Sequence, residues 1–111
     1  MAREVDFVVR FGATDRYRRR HLSEKGRILS FVVQYETQIG DKWYPVVRYD
    51  TAHGFYHKDL MHPGKRSEKI YIKVLDYNKA LTLAEKDIKD NWEEYRESFM
   101  KEIEKHESPK E

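Results

Sequence analysis

The stretch Leu29-Ser30-Phe31-Val32-Val33-Gln34-Tyr35-Glu36-Thr37-Gln38-Ile39-Gly40-Asp41-Lys42-Trp43-Tyr44-Pro45-Val46-Val47-Arg48-Tyr49-Asp50 decides the fold class. Leu29, Phe31, Val33 and Tyr35 alternate with Ser30, Val32, Gln34 and Glu36, the period of two that marks a half-buried strand. Gly40-Asp41 signals a turn, and Trp43 to Asp50 resumes extended structure. A two-residue loop at Gly40-Asp41 would set Val33 opposite Arg48 and Phe31 opposite Asp50, mixing the faces. A three-residue loop, Gly40-Asp41-Lys42, sets Val33 opposite Tyr49, Tyr35 opposite Val47, Gln34 opposite Arg48 and Glu36 opposite Val46. Register follows the buried face, so the three-residue loop is expected.

Beyond Asp50, His53-Gly54 suits a second tight turn, because Gly supplies positive φ and His tolerates it better than most residues. The expected pairs are Ala52–Phe55, Thr51–Tyr56, Asp50–His57, Tyr49–Lys58 and Arg48–Asp59. Tyr56 and Leu60 then join Phe31, Val33, Tyr35, Val47 and Tyr49 on the core face. Glu36, Arg48, Asp50, His57 and Asp59 share the other. His62-Pro63-Gly64 closes this strand, and Ile70, Ile72 and Val74 alternate in a last one over 69–74. Upstream, Val5, Phe7, Val9 and Phe11 read as a strand ended by Gly12-Ala13-Thr14-Asp15. Arg16-Tyr17-Arg18-Arg19-Arg20-His21 reads as a second short strand or an exposed loop.

From Asn78 the period changes. Leu81, Ala84, Ile88, Trp92, Tyr95, Phe99 and Ile103 recur every three or four residues, one apolar stripe on a helix of about seven turns. Asp76 or Asn78 suits the N-cap, and Lys101, Lys105 and His106 suit the C-terminal end of the helix dipole. The stripe is expected to cover the apolar face of the sheet. A helix of about 28 residues is roughly 42 Å long, so its end at Tyr95, Phe99 and Ile103 is expected to overhang and to offer a homodimer seam. The fold class is therefore α+β: an antiparallel meander of four to five strands with one long C-terminal amphipathic helix packed on one face. Residues 1–106 form a single domain and 107–111 a disordered polar tail.

The 111 residues hold one core and no cysteine. That excludes disulfides, thiolate catalysis and cysteine-based zinc sites. No apolar run nears the length of a membrane span and the charged N-terminus carries no signal-peptide pattern, so a cytoplasmic location is expected. Charged residues make up 38% of the chain, a composition that fits a heat-adapted source. The net charge is +2, yet residues 1–30 hold eight Lys/Arg against four Asp/Glu. A Gly-rich phosphate loop, G-x-S-x-G and H-E-x-x-H are all missing, which disfavours P-loop, serine-hydrolase and zincin chemistry. No cofactor or metal is expected.

Two constellations carry chemistry. In the central hairpin, Asp50 opposite His57 pairs a carboxylate with an imidazole, as a general base is held. Arg48 opposite Asp59 places a guanidinium beside them that can grip a phosphate, and His53 adds a second imidazole. The same placement describes a plain ladder of cross-strand polar pairs, each contributing about 0.2–1 kcal/mol. The second is Arg16, Arg18, Arg19 and Arg20 with Tyr17 among them, a pattern for phosphates on arginine and bases on tyrosine. It serves equally as a charged loop or edge.

The run Pro45-Val46-Val47-Arg48-Tyr49-Asp50-Thr51-Ala52-His53-Gly54-Phe55-Tyr56-His57-Lys58-Asp59 resembles the signature of a family of small prokaryotic domains of unknown function. The resemblance extends from about Gln34 to Tyr95. More distantly, the order strand, Arg-aromatic-Asp, turn, His, strand, helix is similar to TumE-type toxins of toxin–antitoxin pairs. There Trp and Asn stand where this chain has Tyr49 and Thr51, and two histidines adjoin where His53 and His57 are separated. The resemblance raises Arg48, Asp50, His53 and His57 as site residues; with Asp59 from the hairpin they form the expected ribonuclease-like site, with RNA and an antitoxin-like protein as expected partners. In that site His57 would transfer the proton, Asp50 orient it, Arg48 hold the phosphate and His53 serve as second proton-transfer group. The competing expectation is a non-enzymatic protein-interaction or assembly module.

Overall fold

The computed structural model describes residues 2–73 and 76–107, with the side chains of all but His53, His106 and Glu107. The chain forms β1 (Arg3–Arg10), β2 (Asp15–Glu24), β3 (Arg27–Ile39), β4 (Lys42–Asp50), a 3-10 turn (Ala52–Gly54), β5 (His57–Leu60), β6 (Glu68–Tyr71) and α1 (Tyr77–Glu107). The strands make one antiparallel sheet in the order β1-β2-β3-β4-β5-β6. The meander thus has six strands among the described residues, not four or five. The arginine-rich segment is a full strand, hydrogen-bonded on both sides, because alternate residues Tyr17, Arg19 and His21 turn toward the helix and find partners there.

The β3–β4 hairpin combines both registers weighed from the sequence. Val33 faces Tyr49, Gln34 faces Arg48 and Tyr35 faces Val47, as the three-residue loop requires. The turn itself is two residues, with Ile39 opposite Lys42 and Gly40 at φ 64. A β-bulge reconciles them: the register shifts after Tyr35, Glu36 faces Pro45 rather than Val46, and Val46 is the extra residue. Proline has no N–H to give a ladder, so the irregularity falls where pairing is weakest. Consecutive Val46 and Val47 are both buried as a result.

The β4–β5 pairs Asp50–His57, Tyr49–Lys58 and Arg48–Asp59 form as expected. Their connection is wider than a two-residue turn, since Ala52–Gly54 winds into the 3-10 turn and Thr51 and Tyr56 leave the ladder. Thr51 is instead tied to β3: its Oγ1 accepts from Phe31 N at 2.9 Å, and its own N–H donates to Phe31 O at 3.2 Å. The last strand ends at Tyr71, with Ile70 largely exposed and Ile72 packed on the core; Val74 lies outside the described residues.

Helix α1 starts at Tyr77, one residue before the expected start. Asp76 is its cap, accepting from Asn78 N at 2.9 Å. Asn78 pins the helix to the β2–β3 turn: its side chain donates to Gly26 O and accepts from Ile28 N, each at 2.9 Å. Leu81, Ala84 and Ile88 bury against Phe31, Val33, Tyr35, Val47 and Tyr49. Trp92 stacks on Phe11 with ring centroids 5.0 Å apart. The distal end does not hang free. Phe99 is 6% exposed within the chain's own core, with Tyr95 and Ile103 packed against it, so the expected dimer seam is occupied internally at Phe99. The last residues, 108–111, lie outside the described part, while Glu107 ends the helix.

Candidate functional site

The helix covers one face of the sheet and leaves the other bare. Strand alternation fixes which residues share the bare face. One row across the strands runs Val8, Arg18, Gln34, Arg48, Asp59, Lys69; a second runs Asp6, Arg20, Val32, Asp50, His57, Tyr71. Arg10, Arg16 and Glu36 sit beyond the first row.

A hydrogen-bonded relay crosses three strands here. Arg16 Nε donates to Glu36 Oε1 at 2.7 Å, Gln34 Nε2 donates to Glu36 Oε2 at 2.5 Å, and Arg48 Nε donates to Gln34 Oε1 at 2.7 Å. Glu36 is buried, and a buried carboxylate needs such partners. The Arg16 guanidinium lies over the Trp43 ring at 3.8 Å, within cation–π range. Arg20 pairs with Glu4 at 2.8 Å. Arg18 is exposed, and neither it nor Arg48 has an ion-pair partner among the described residues. Both line a concavity of about 320 Å³ with Arg20, Asp6 and Asp50.

The structure therefore splits the arginine cluster. Arg16, Arg18 and Arg20 lie on the bare face. Arg19 lies under the helix, donating to Glu85 Oε1 at 2.7 Å and resting against Phe7. Tyr17, expected to stack bases, is 1% exposed and donates its hydroxyl to Glu85 at 2.8 Å. Burial, with the Glu85 carboxylate next, pushes the Tyr17 phenol far above its ordinary value.

The hairpin constellation is arranged differently from the expected catalytic pair. Asp50 faces His57 in the backbone ladder, but its Oδ1 accepts from Ala52 N at 2.7 Å and holds the turn. His57 meets Asp59 instead, Nε2 to Oδ2 at 3.5 Å. Its Nδ1 lies 3.2 Å from Phe55 O, a carbonyl that can only accept. His57 is 4% exposed and Asp59 6%. Asp59 Oδ1 is buried without a hydrogen-bond partner, with Lys69 Nζ 4.0 Å away. His53 occupies the 3-10 turn, and its side chain lies outside the described part. Beside His57, the rings of Phe55 and Tyr71 meet edge-on at 6.3 Å and are 62% and 68% exposed.

The sequence reading missed two further groups. Trp43 carried no motif, and plain alternation with Val47 and Tyr49 would set it on the core face; the bulge at Val46 turns it to the bare one. Asp87 read only as a polar helix residue. It accepts from Tyr49 at 2.6 Å, Tyr95 at 2.5 Å and Asn91 at 2.8 Å, with Lys58 3.6 Å away. Burial works to weaken the acid, but the three donors and Lys58 outweigh that and hold the carboxyl below its ordinary value. Among the described residues no cluster of His, Asp and Glu has the arrangement of a metal site, and no helix is long and apolar enough to cross a membrane.

No match is found among curated proteins or among solved structures. A family model described as Domain of unknown function (DUF7718) matches residues 2–105, nearly the whole chain, and the protein belongs to that family.

Proposed function

We propose that the protein binds single-stranded RNA on the face of the sheet that the helix leaves bare. The observation that carries this reading is Arg18 and Arg48, two cations on one open face that make no ion pair among the described residues, although Asp6, Glu36 and Asp50 line the same concavity. Phosphate is the partner that the planar guanidinium fork fits. The exposed rings of Phe55 and Tyr71 stand at the far end of the same face, where bases can stack. From β2 to β6 is four strand spacings, roughly 19 Å, the reach of three or four nucleotides. The excess of basic residues in the first thirty adds to the attraction.

Binding without cleavage is the form of this reading that fits the geometry best. His57, the proton-transfer group of a ribonuclease-like toxin, is buried, with one ring nitrogen on Phe55 O and the other toward Asp59. A general base needs hydrogen-bond reach to the substrate hydroxyl. The test is binding of a labelled twelve-nucleotide uridine strand at 50 and 200 mM salt, with the strand's length checked afterwards. Affinity is expected to fall roughly 7- to 50-fold across that range, as counterion release from two to four phosphate contacts requires, and the strand to stay intact. Binding indifferent to salt, or no binding, would overturn the reading. Cleavage abolished by His57→Ala would restore the ribonuclease form.

A second reading rests on β6. Among the described residues its outer edge carries no neighbouring strand, and Phe55, Ile70 and Tyr71 are exposed beside it. A protein partner that adds a strand there, an antitoxin-like chain included, would protect the β6 amides from hydrogen exchange.

A further inference from the structure

We infer that the row Arg18, Gln34, Arg48 is a seat for a single phosphodiester group, with Gln34 and Glu36 as positioning residues. The inference rests on the RNA reading and assigns where on the face the backbone is gripped. Arg18 on β2 and Arg48 on β4 flank Gln34 on β3, so their backbones stand roughly 9.5 Å apart. Side chains as long as arginine converge on a group above Gln34 across that gap.

The two arginines have different jobs. Arg48 is pre-set. Its Nε is spent on Gln34 Oε1, the Gln34 amide is spent on Glu36 Oε2, and the other Glu36 oxygen is held by Arg16. The relay turns Arg48 so that its two terminal nitrogens remain as a fork for two phosphate oxygens. It also neutralises Glu36, which would otherwise repel an anion a few ångströms away. Asp6 and Asp50 line the same concavity with Arg20, and Asp50 has one oxygen committed to Ala52 N. Arg18 is exposed and unpaired, free to swing onto the same group. A guanidinium already oriented by the relay lowers the ordering cost of association.

The experiment is fluorescence anisotropy with the twelve-nucleotide uridine strand on wild type, Arg18→Ala, Arg48→Ala, Arg48→Lys and Arg66→Ala, over a salt series. Arg66 is an exposed cation in the β5–β6 loop, away from the seat. Arg18→Ala and Arg48→Ala are each expected to weaken binding by about tenfold and to flatten the log–log salt slope by about one contact. Arg48→Lys keeps the charge and loses the fork, so it is expected to recover only part of the loss. Arg66→Ala is expected to stay within about twofold of wild type. If wild type binds and Arg18→Ala or Arg48→Ala matches it, or if Arg66→Ala loses as much as Arg48→Ala, the seat is wrong while the RNA surface stands. If wild type does not bind, both fall.

Discussion

The two faces of the sheet treat charge in opposite ways. Under the helix, carboxylates from both layers meet mostly neutral hydroxyls: Asp15 of β2 accepts from Tyr35 at 2.6 Å, with Arg96 of α1 3.5 Å away. Glu85 takes Tyr17 and Arg19, and Asp87 takes Tyr49 and Tyr95. Each acid there is saturated. On the bare face the cations come from the strands themselves, buried Glu36 is saturated while buried Asp59 keeps one oxygen without a hydrogen bond, and Arg18 and Arg48 make no ion pair among the described residues. Saturation is what a structural network requires, and an unbalanced remainder is what a binding surface requires. The difference separates polar groups that hold the fold from those available to a ligand, which residue type alone cannot do.

The largest expected effect breaks the covered face. Ile88 is fully buried between helix and sheet, and Ile88→Ala is expected to cost about 3 kcal/mol in urea denaturation. Its effect on RNA affinity, measured where the protein remains folded, is expected to be nil. Next, Asp87→Ala strands the hydroxyls of Tyr49 and Tyr95 and is expected to cost about 2 kcal/mol. The Asp87 carboxyl is held below 3.8 in the fold, so its contribution is present above that value and is lost as pH falls through the folded-state value. Acid unfolding of Asp87→Asn is therefore expected to be flatter than that of wild type.

Arg18→Ala sharpens the contrast from the other side. Its stability is expected to stay within about 0.5 kcal/mol of wild type while RNA affinity drops. A variant that loses both would place Arg18 with the structural groups. The smallest effect concerns His62, which ties the β5–β6 loop to the helix end through Glu102 at 2.8 Å and Glu68 at 3.4 Å. The Glu102 hydrogen bond outweighs burial and raises the imidazole above 6.5. A raised folded-state value means the stabilisation is full below 6.5 and is lost as pH rises through that higher value. Less than about 1 kcal/mol is expected, abolished by His62→Ala.

Much of this contrast was legible in the sequence, and the rest was hidden for physical reasons. Alternation placed Gln34 opposite Arg48 and put Glu36, Arg48, Asp50, His57 and Asp59 on one face, because period-two patterns state a face directly. The partner each side chain chooses was not legible. His57 turns to Asp59, two residues along its own strand, because the turn amide of Ala52 has already taken Asp50. The bulge at Val46 stayed hidden because each simple register satisfied half of the hairpin. Strand β2 looked half like a loop because Arg19 faces the covered side, and only Glu85, far along the chain, explains how a charge sits there. Long-range pairing of that kind leaves no local pattern to read.

The most direct test of the two-face account is an amide and arginine-Nε chemical-shift titration of the labelled protein with the uridine strand. The account predicts shifts confined to the bare face and its aromatic edge, centred on Arg18, Gln34, Arg48 and Tyr71, with the Asp87 and Glu85 side of α1 unmoved. Shifts centred on α1, or spread evenly over both faces, would contradict it.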